Sequence, residues 1–239
     1  MECKKNLVLL PGLNNTAAIW DGVVKKLDDE FNCYPITCPP INNIDKLGKE
    51  LLNELPESFY LCGFSFGGFV ALSMLLQEPE RIEGFILMAT SPSSDTTTRK
   101  KARVQAVERA KAGEYEKMIS SQKGKLFYKD NGEKPEFIAL RKKMQEDYGA
   151  HHFIAHQQAS IERPDRMYAL RQYKGPILIM AGSDDQVFPS DKMQELSSEI
   201  KHSYFIEIPK SGHMLPMEQP EEIANELRNW IFDMIIKKG

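Results

Sequence analysis

Residues 59–77 contain two apolar runs separated by a short glycine-flanked turn, an arrangement that few folds accommodate. The first run, Phe-Tyr-Leu-Cys, has the composition of a buried strand, and the run after the turn has the length of a helix. Between them lies Gly-Phe-Ser-Phe-Gly, centred on Ser65. A strand that turns this sharply into a helix strains its central residue, and flanking side chains would collide with the neighbouring elements. The pattern predicts a strand–turn–helix unit that exposes the Ser65 hydroxyl at its tip.

Short apolar runs alternate along the chain with longer segments of helical period. This alternation is typical of βαβ units, so we predict an α/β fold with a mostly parallel central sheet flanked by helices. The predicted strands are 6–10, 31–36, 59–62, 84–89, 177–181 and 204–208. The predicted helices around them are 17–27, 44–55, 66–77, 191–199 and one that begins at Pro220.

The alternation stops after residue 89, and residues 90–174 contain no convincing strand. We interpret 90–174 as a helical cap inserted into an α/β core formed by residues 1–89 and 175–239. The predicted cap helices are 99–111, 115–121, 135–148 and 152–161. The helix at 99–111 is basic, which we interpret as a solvated outer face rather than a contact with a membrane or a nucleic acid.

Composition limits the possible partners and the compartment. The formal net charge of -3 argues against a nucleic-acid partner, which would call for a basic face. The first apolar run ends after four residues at Pro11, so we expect a strand there and neither a signal peptide nor a membrane span. The four cysteines form no C-x-x-C pair, which favours buried thiols in a reducing compartment. We therefore expect a cytoplasmic protein. These cysteines are Cys3, Cys33, Cys38 and Cys62.

A serine hydroxyl is a weak nucleophile unless a base takes its proton and a carboxylate orients that base. His213 lies in a loop between the last predicted strand and the last helix. Asp184 and Asp185 directly follow the strand at 177–181. Loops at the carboxyl ends of parallel strands converge on one crevice, so Ser65, His213 and one of the two aspartates are expected to meet there. Spacing alone does not choose between the aspartates.

Acyl transfer also needs two donors aimed at the developing oxyanion. The turn around Ser65 supplies the backbone N–H of Phe66, and the loop after the first strand offers that of Leu13, where Gly12 allows close backbone approach. Apolar side chains near these groups are expected to form the pocket, although each of them also suits ordinary core packing. These candidate pocket residues are Trp20, Phe64, Phe66, Phe153 and Met214.

Three further histidines lie together in the predicted cap, and His152 and His156 are spaced to share one helix face. A zinc site of the H-E-x-x-H type needs an acidic residue between them, but residues 153–155 are Phe, Ile and Ala. We therefore predict a surface or pocket-lining role for His151, His152 and His156, and neither a metal nor a cofactor.

With these residues in place, the chain resembles the α/β-hydrolase superfamily along nearly its whole length. It is most similar to the small bacterial single-domain esterases, a group that includes enol-lactonases and the acyl-carrier methyl ester esterases of biotin synthesis. The family's G-x-S-x-G serine falls on Ser65, and its G-H before the final helix falls on His213. The acid of G-x-x-D-x-x-x-P, in residues 182–189, falls on Asp185, so the resemblance favours Asp185 over its neighbour. The residue whose N–H completes the family's oxyanion hole falls on Leu13.

Two departures from the family pattern alter the rim of the predicted pocket. Pro11-Gly12 stands where the family has His-Gly, and residues 38–43 replace its D-x-x-G-x-G-x-S loop. Neither departure removes a catalytic group. The serine at position 65, where dehalogenases and epoxide hydrolases carry an aspartate, disfavours their chemistry.

The resemblance implies a serine hydrolase that cleaves a small-molecule carboxylic ester or thioester through an acyl-enzyme. One alternative uses the same triad for C–C bond hydrolysis, enol-lactone hydrolysis or a lyase reaction. Its mark would be a cap arginine, such as Arg163 or Arg166, that grips a substrate carboxylate. A second alternative is a hydrolase fold without activity that serves as a small-molecule receptor or scaffold.

Overall fold

The computed structural model describes residues 4–121 and 125–238, so Cys3 lies outside the described residues. Six strands form one sheet in the order β2-β1-β3-β4-β5-β6, and each neighbouring pair is parallel. The prediction of a mostly parallel α/β sheet is therefore confirmed. The strands are β1 Lys5–Leu10, β2 Phe31–Pro35, β3 Phe59–Phe64, β4 Ile82–Met88, β5 Ile177–Gly182 and β6 Ser203–Ile208.

The helices flank this sheet and also fill the chain between β4 and β5. They are α1 Asp21–Leu27, α2 Ile44–Leu52, α3 Phe66–Gln77, α4 Thr97–Arg109, α5 Tyr115–Ser120, α6 Pro135–Glu162, α7 Met167–Gln172, α8 Ser190–Ser198, α9 Leu215–Glu218 and α10 Pro220–Lys238. The start of α10 at Pro220 agrees with the prediction, because proline fits the first helical turn. In the described residues no helix is both long and apolar enough to cross a lipid bilayer.

Three of the predicted helices have a different form in the structure. The segment at 17–27 divides into the 3-10 turn Ala17–Trp20 and helix α1. The segments at 135–148 and 152–161 belong to the single run α6, which breaks at Gly149, where φ is 63°. Helices α7 and α9 were not predicted, because six and four residues are too few to show a helical period.

The core lies on both faces of the sheet because side chains alternate along each strand. In β1, Leu7 and Leu9 pack with α1 and α10, whereas Val8 and Leu10 pack against the layer of α2 and α3. Strands buried on both faces read as continuous apolar runs. This burial explains why β1, β3, β4 and β5 were easy to locate from the sequence.

Helices α4 to α7 lie between β4 and β5, and α4 packs against α6. A buried ion network ties this region together. The carboxylate of Asp95 contacts Arg103 at 2.5 Å and Arg163 at 2.9 Å, and Arg103 also donates to Gln157 Oε1 at 2.6 Å. The two arginines hold the pKa of Asp95 below its ordinary value, although its burial acts in the opposite direction. The network joins α4 to the last turns of α6 and to Arg163, which follows that helix.

Candidate active site

Ser65 lies in the turn between β3 and α3 with φ 51° and ψ −114°, a strained conformation for a residue other than glycine. Its backbone N–H donates to Met88 O at 2.9 Å, and the Thr90 hydroxyl donates to its carbonyl at 2.7 Å. A Cβ atom at Gly67 would come within 2.5 Å of Leu10 O, a contact that real side chains do not make. Glycine is required at this position because another backbone passes too close.

His213 lies in the loop between β6 and α9. Its Nε2 is 3.0 Å from Ser65 Oγ, and its Nδ1 is 2.9 Å from Asp185 Oδ2. A carboxylate only accepts, so Nδ1 carries the proton that is donated to Asp185, and the Nε2 lone pair faces the serine hydroxyl. The imidazole lies between the rings of Phe64 and Phe188, at 5.2 and 5.9 Å between centroids. These contacts hold the ring in one orientation.

The loop after β5 fixes the carboxylate of Asp185. Its Oδ1 accepts from the backbone N–H groups of Val187 and Phe188 at 2.7 and 2.9 Å, so Oδ2 is left for His213. Asp185 is buried, whereas Asp184 is exposed and accepts from the neighbouring Ser183 Oγ at 2.8 Å. The structure therefore brings Asp185, and not Asp184, to His213.

Glu218 holds the loop that carries His213, and we did not predict this residue. One carboxylate oxygen accepts from Gly212 N–H at 2.7 Å, and the other accepts from Tyr128 N–H and from Asn131 Nδ2, both at 2.8 Å. Burial raises the pKa of this carboxyl, although the three donors oppose that effect. Its only signal in the sequence is an acidic residue just before a helix, which is too common to single out.

Leu13 and Phe66, the predicted oxyanion donors, both lie at the cavity next to Ser65. Phe66 opens α3, where backbone N–H groups have no partner within the helix. The neighbour of Leu13, Asn14, has φ 61° and is held by a tyrosine of α5. Tyr115 donates to its side-chain oxygen at 3.2 Å.

His156 lies behind Phe66, and the two rings stack at 4.4 Å. Its Nδ1 accepts from the Tyr148 hydroxyl at 2.5 Å, and its Nε2–H donates to Pro39 O at 2.8 Å. Burial lowers the pKa of His156 to about 4. Within the described residues no group of three or more His, Cys, Asp or Glu side chains could hold a metal ion. His156 thus joins α6 to the loop at Pro39 and to the first turn of α3.

A cavity of about 390 Å³ opens above Ser65 and His213. Of the predicted pocket residues, Phe64, Phe66 and Met214 line it. Trp20 and Phe153 do not, which corrects those two predictions. Trp20 is fully buried behind Phe64, with ring centroids 6.3 Å apart, and Phe153 packs against Tyr115 within α5 and α6. An apolar residue in the sequence does not reveal whether it forms the wall or the layer behind the wall.

The arginines at the cavity are not the two named from the sequence. Arg163 is buried against Asp95 and over the Phe69 ring, and Arg166 pairs with Asp45. Neither of them lines the cavity above Ser65. The arginines that do line it are Arg99, Arg103 and Arg141.

Comparisons with solved structures agree with this architecture. A thermophilic esterase from Thermogutta terrifontis superposes with a TM-score of 0.89 at 24% identity, over 96% of this chain and 90% of that one. The enol-lactonase from Burkholderia xenovorans LB400 superposes with a TM-score of 0.87 at 16% identity, over 96% and 92%. At these identities the likeness concerns the fold.

Curated relatives match a shorter stretch. The pimeloyl-[acyl-carrier protein] methyl ester esterase of Nitrosomonas europaea is 32% identical over 95 residues, which are 36% of this chain and 38% of that protein. The enzyme of the same name from Aeromonas hydrophila is 33% identical over 97 residues, with the same coverage. The chain thus matches less than two-fifths of the length of these relatives. The family defined by the alpha/beta hydrolase fold matches residues 55–220, which are most of the chain. The protein therefore belongs to the alpha/beta hydrolase fold family.

Proposed function

We propose that this protein is a serine hydrolase that cleaves a carboxylic ester or thioester, with Ser65, His213 and Asp185 as its catalytic triad. The observation that carries the proposal is the unbroken line from hydroxyl to imidazole to carboxylate, with separations of 3.0 and 2.9 Å, at the floor of a cavity. Serine, base and acid in hydrogen-bond sequence form the arrangement that activates a hydroxyl nucleophile.

In the acylation step, Nε2 of His213 accepts the Ser65 proton as Oγ attacks the ester carbonyl. The proton on Nδ1 stays in its hydrogen bond to Asp185, and the carboxylate stabilises the imidazolium that forms. His213 then donates the new proton to the departing alcohol or thiol, which leaves an ester between Ser65 and the acyl group. Deacylation repeats these steps, with water in the place of Ser65 and His213 as the base.

The backbone N–H groups of Leu13 and Phe66 are the proposed donors to the oxyanion in both steps. Support comes from their place at the cavity and from the positive end of helix α3 beside Ser65. The segment at 90–174 would then act as the cap over a core of residues 1–89 and 175–239. Side chains from α4 and α6 line the same cavity and are positioned to select among substrates.

The substrate class follows from the shape of the site and from its relatives. A cavity of about 390 Å³ suits a small molecule, and Phe64, Phe66 and Met214 give it apolar walls. The matching curated proteins are named as methyl ester esterases, which favours ester cleavage over the alternative reactions of the same triad. We also propose a cytoplasmic location, because Cys33, Cys38 and Cys62 are free thiols.

Labelling with a fluorophosphonate, followed by mass spectrometry, tests the proposal directly. We expect one adduct on Ser65 and hydrolysis of p-nitrophenyl butyrate. Ser65→Ala and His213→Ala should abolish labelling and lower kcat by about 10⁴-fold or more. Ser198→Ala, at an exposed serine on α8, is the matched control and should retain both. A folded wild-type protein that is neither labelled nor active would refute the proposed hydrolase activity and favour a receptor without activity.

A further inference from the structure

Arg141 lies on α6 and lines the cavity above Ser65, yet it is only 6% exposed. Its guanidinium carbon is 5.3 Å from the centre of the Phe127 ring, so one face of the cation is covered. Among the described residues, no carboxylate lies within 4.0 Å of its nitrogens. Arg141 is therefore a buried cation whose charge no protein anion balances at close range.

The other arginines of the region differ in this respect. Arg103 and Arg163 share the carboxylate of Asp95, so each of them has an anion in direct contact. Arg99 is exposed to solvent, and its guanidinium lies over the ring of Phe188 at 5.5 Å. In the part of the chain that the structure describes, Arg141 is the only buried arginine of this cavity without a carboxylate partner.

Removing a guanidinium from water without a partner is unfavourable, and an anion in hydrogen-bond contact offsets that cost. Burial lowers the pKa of Arg141, and exposed Glu133 opposes this effect only from a distance. An arginine side chain nevertheless stays charged, because its ordinary pKa lies so high. An anion that enters the cavity and contacts Arg141 would therefore be bound favourably.

The neighbouring side chains indicate how such an anion would be placed. Gln145 lies one helical turn beyond Arg141 and also lines the cavity, so its amide can share in the binding of oxygen atoms. Apolar Leu126, Ile119 and Met214 line the cavity as well. A flat guanidinium with an adjacent amide suits a carboxylate, which accepts two parallel hydrogen bonds.

We propose that Arg141 binds an ionised carboxylate of the substrate, so that the preferred substrates are monoesters of dicarboxylic acids. This inference rests on the ester hydrolase activity proposed above. Ser65 attacks the ester carbonyl at one end of the acyl chain, while Arg141 holds the carboxylate at the other end. Arg141 acts here in binding and specificity, and the triad carries out the bond cleavage.

The test compares monomethyl esters of the dicarboxylic acids from succinate to suberate with methyl esters of neutral fatty acids of the same chain length. Wild type should prefer the monoesters, with an optimum at one chain length. Arg141→Met keeps the length and apolar packing of the side chain but removes the charge. We expect it to lower kcat/KM for the best monoester by about 10- to 100-fold and to change that for the neutral ester by less than about threefold. Arg141→Lys should fall between, since it keeps the charge without the bidentate geometry.

Arg109→Met, at an exposed arginine of α4, is the control for the loss of one positive charge and should behave as wild type. If wild type hydrolyses neutral esters but shows no preference for the monoesters, and Arg141→Met changes nothing, the carboxylate site is refuted while the hydrolase stands. Calorimetric binding of the monoesters to Ser65→Ala tests Arg141 without catalysis. Binding that is lost in Ser65→Ala/Arg141→Met supports the site even if wild type shows no ester hydrolysis, and equal binding by both proteins overturns it.

Discussion

Replacement of His156 by glutamine should make the stability of the fold less sensitive to acid. In the folded protein the imidazole is buried and its pKa is lowered to about 4, whereas an unfolded chain has the ordinary value near 6.5. The protonated form is disfavoured first because the ring is buried. In addition, Nε2–H donates to Pro39 O, which leaves Nδ1 to accept from the Tyr148 hydroxyl. A second proton on the ring would place two donors face to face.

The sign of the pH effect follows from proton uptake on unfolding. Above pH 6.5 neither state binds a proton at His156, and its contribution to stability is complete. As the pH falls from 6.5 towards 4, only the unfolded chain takes up the proton, so the free energy of unfolding falls. The difference between 6.5 and about 4 corresponds to about 3 kcal/mol in full, of which about 2 kcal/mol is lost by pH 5.

Urea unfolding at several pH values between 7.5 and 5 measures this effect. His156→Gln should be less stable than wild type at pH 7.5, because a buried hydrogen-bonded ring is removed. The gap between the two proteins should then shrink by about 2 kcal/mol at pH 5. His202→Gln, at an exposed turn, shows what the loss of another imidazole does to the curve. Wild-type and His156→Gln curves that stay parallel over this range would refute the reasoning.

Two further substitutions test the elements that position the site. Gly67→Ala should destabilise the fold by about 1–3 kcal/mol, because the new Cβ would meet backbone atoms at 2.5 Å. Thermal unfolding measures this loss of stability. Gly48→Ala is the control, because the atoms nearest to its new Cβ are side-chain atoms at 3.2 Å. A loss no larger than that of the control would contradict the backbone contact. Glu218→Gln should cost about 1–3 kcal/mol in urea and lower kcat, since an amide offers one acceptor oxygen where two oxygens now receive three donors. Exposed Glu221→Gln should change neither quantity, and an unaltered kcat in Glu218→Gln would show that His213 does not depend on this support.

The sheet and the turn at Ser65 could be predicted from the sequence because local physics determines them. Strands buried on both faces are continuous apolar runs, and the crowded turn leaves glycine as the only residue that fits at position 67. Helix α3 was predicted with the bounds that the structure has, because its apolar run starts at the turn and ends before Pro79. The contact between Asp185 and His213 could be predicted because loops at the carboxyl ends of parallel strands converge, and because the family resemblance favoured Asp185 over Asp184.

The side of the site formed by α4 to α6 could not be predicted in the same way. Arg163 and Arg166 pair with Asp95 and Asp45 and do not line the cavity. Those pairs join residues far apart in sequence, and no local sequence pattern predicts them. The role of Glu218 was also hidden from the sequence, because two of its three donors come from a loop about ninety residues earlier and the third is Gly212 N–H.

Helix α6 links the two proposed features of the site. The half before Gly149 carries Arg141, and the half after it carries His156, which stacks on Phe66. Tyr148, at the junction, donates to His156 Nδ1 and so links the junction to the residue that stacks on Phe66. Because Gly149 has φ 63°, the two halves need not share one helical axis, and each half can meet a different wall of the cavity. A change at the junction, such as Gly149→Ala, is therefore expected to disturb carboxylate recognition and the wall at Phe66 together, whereas Arg141→Met disturbs recognition alone.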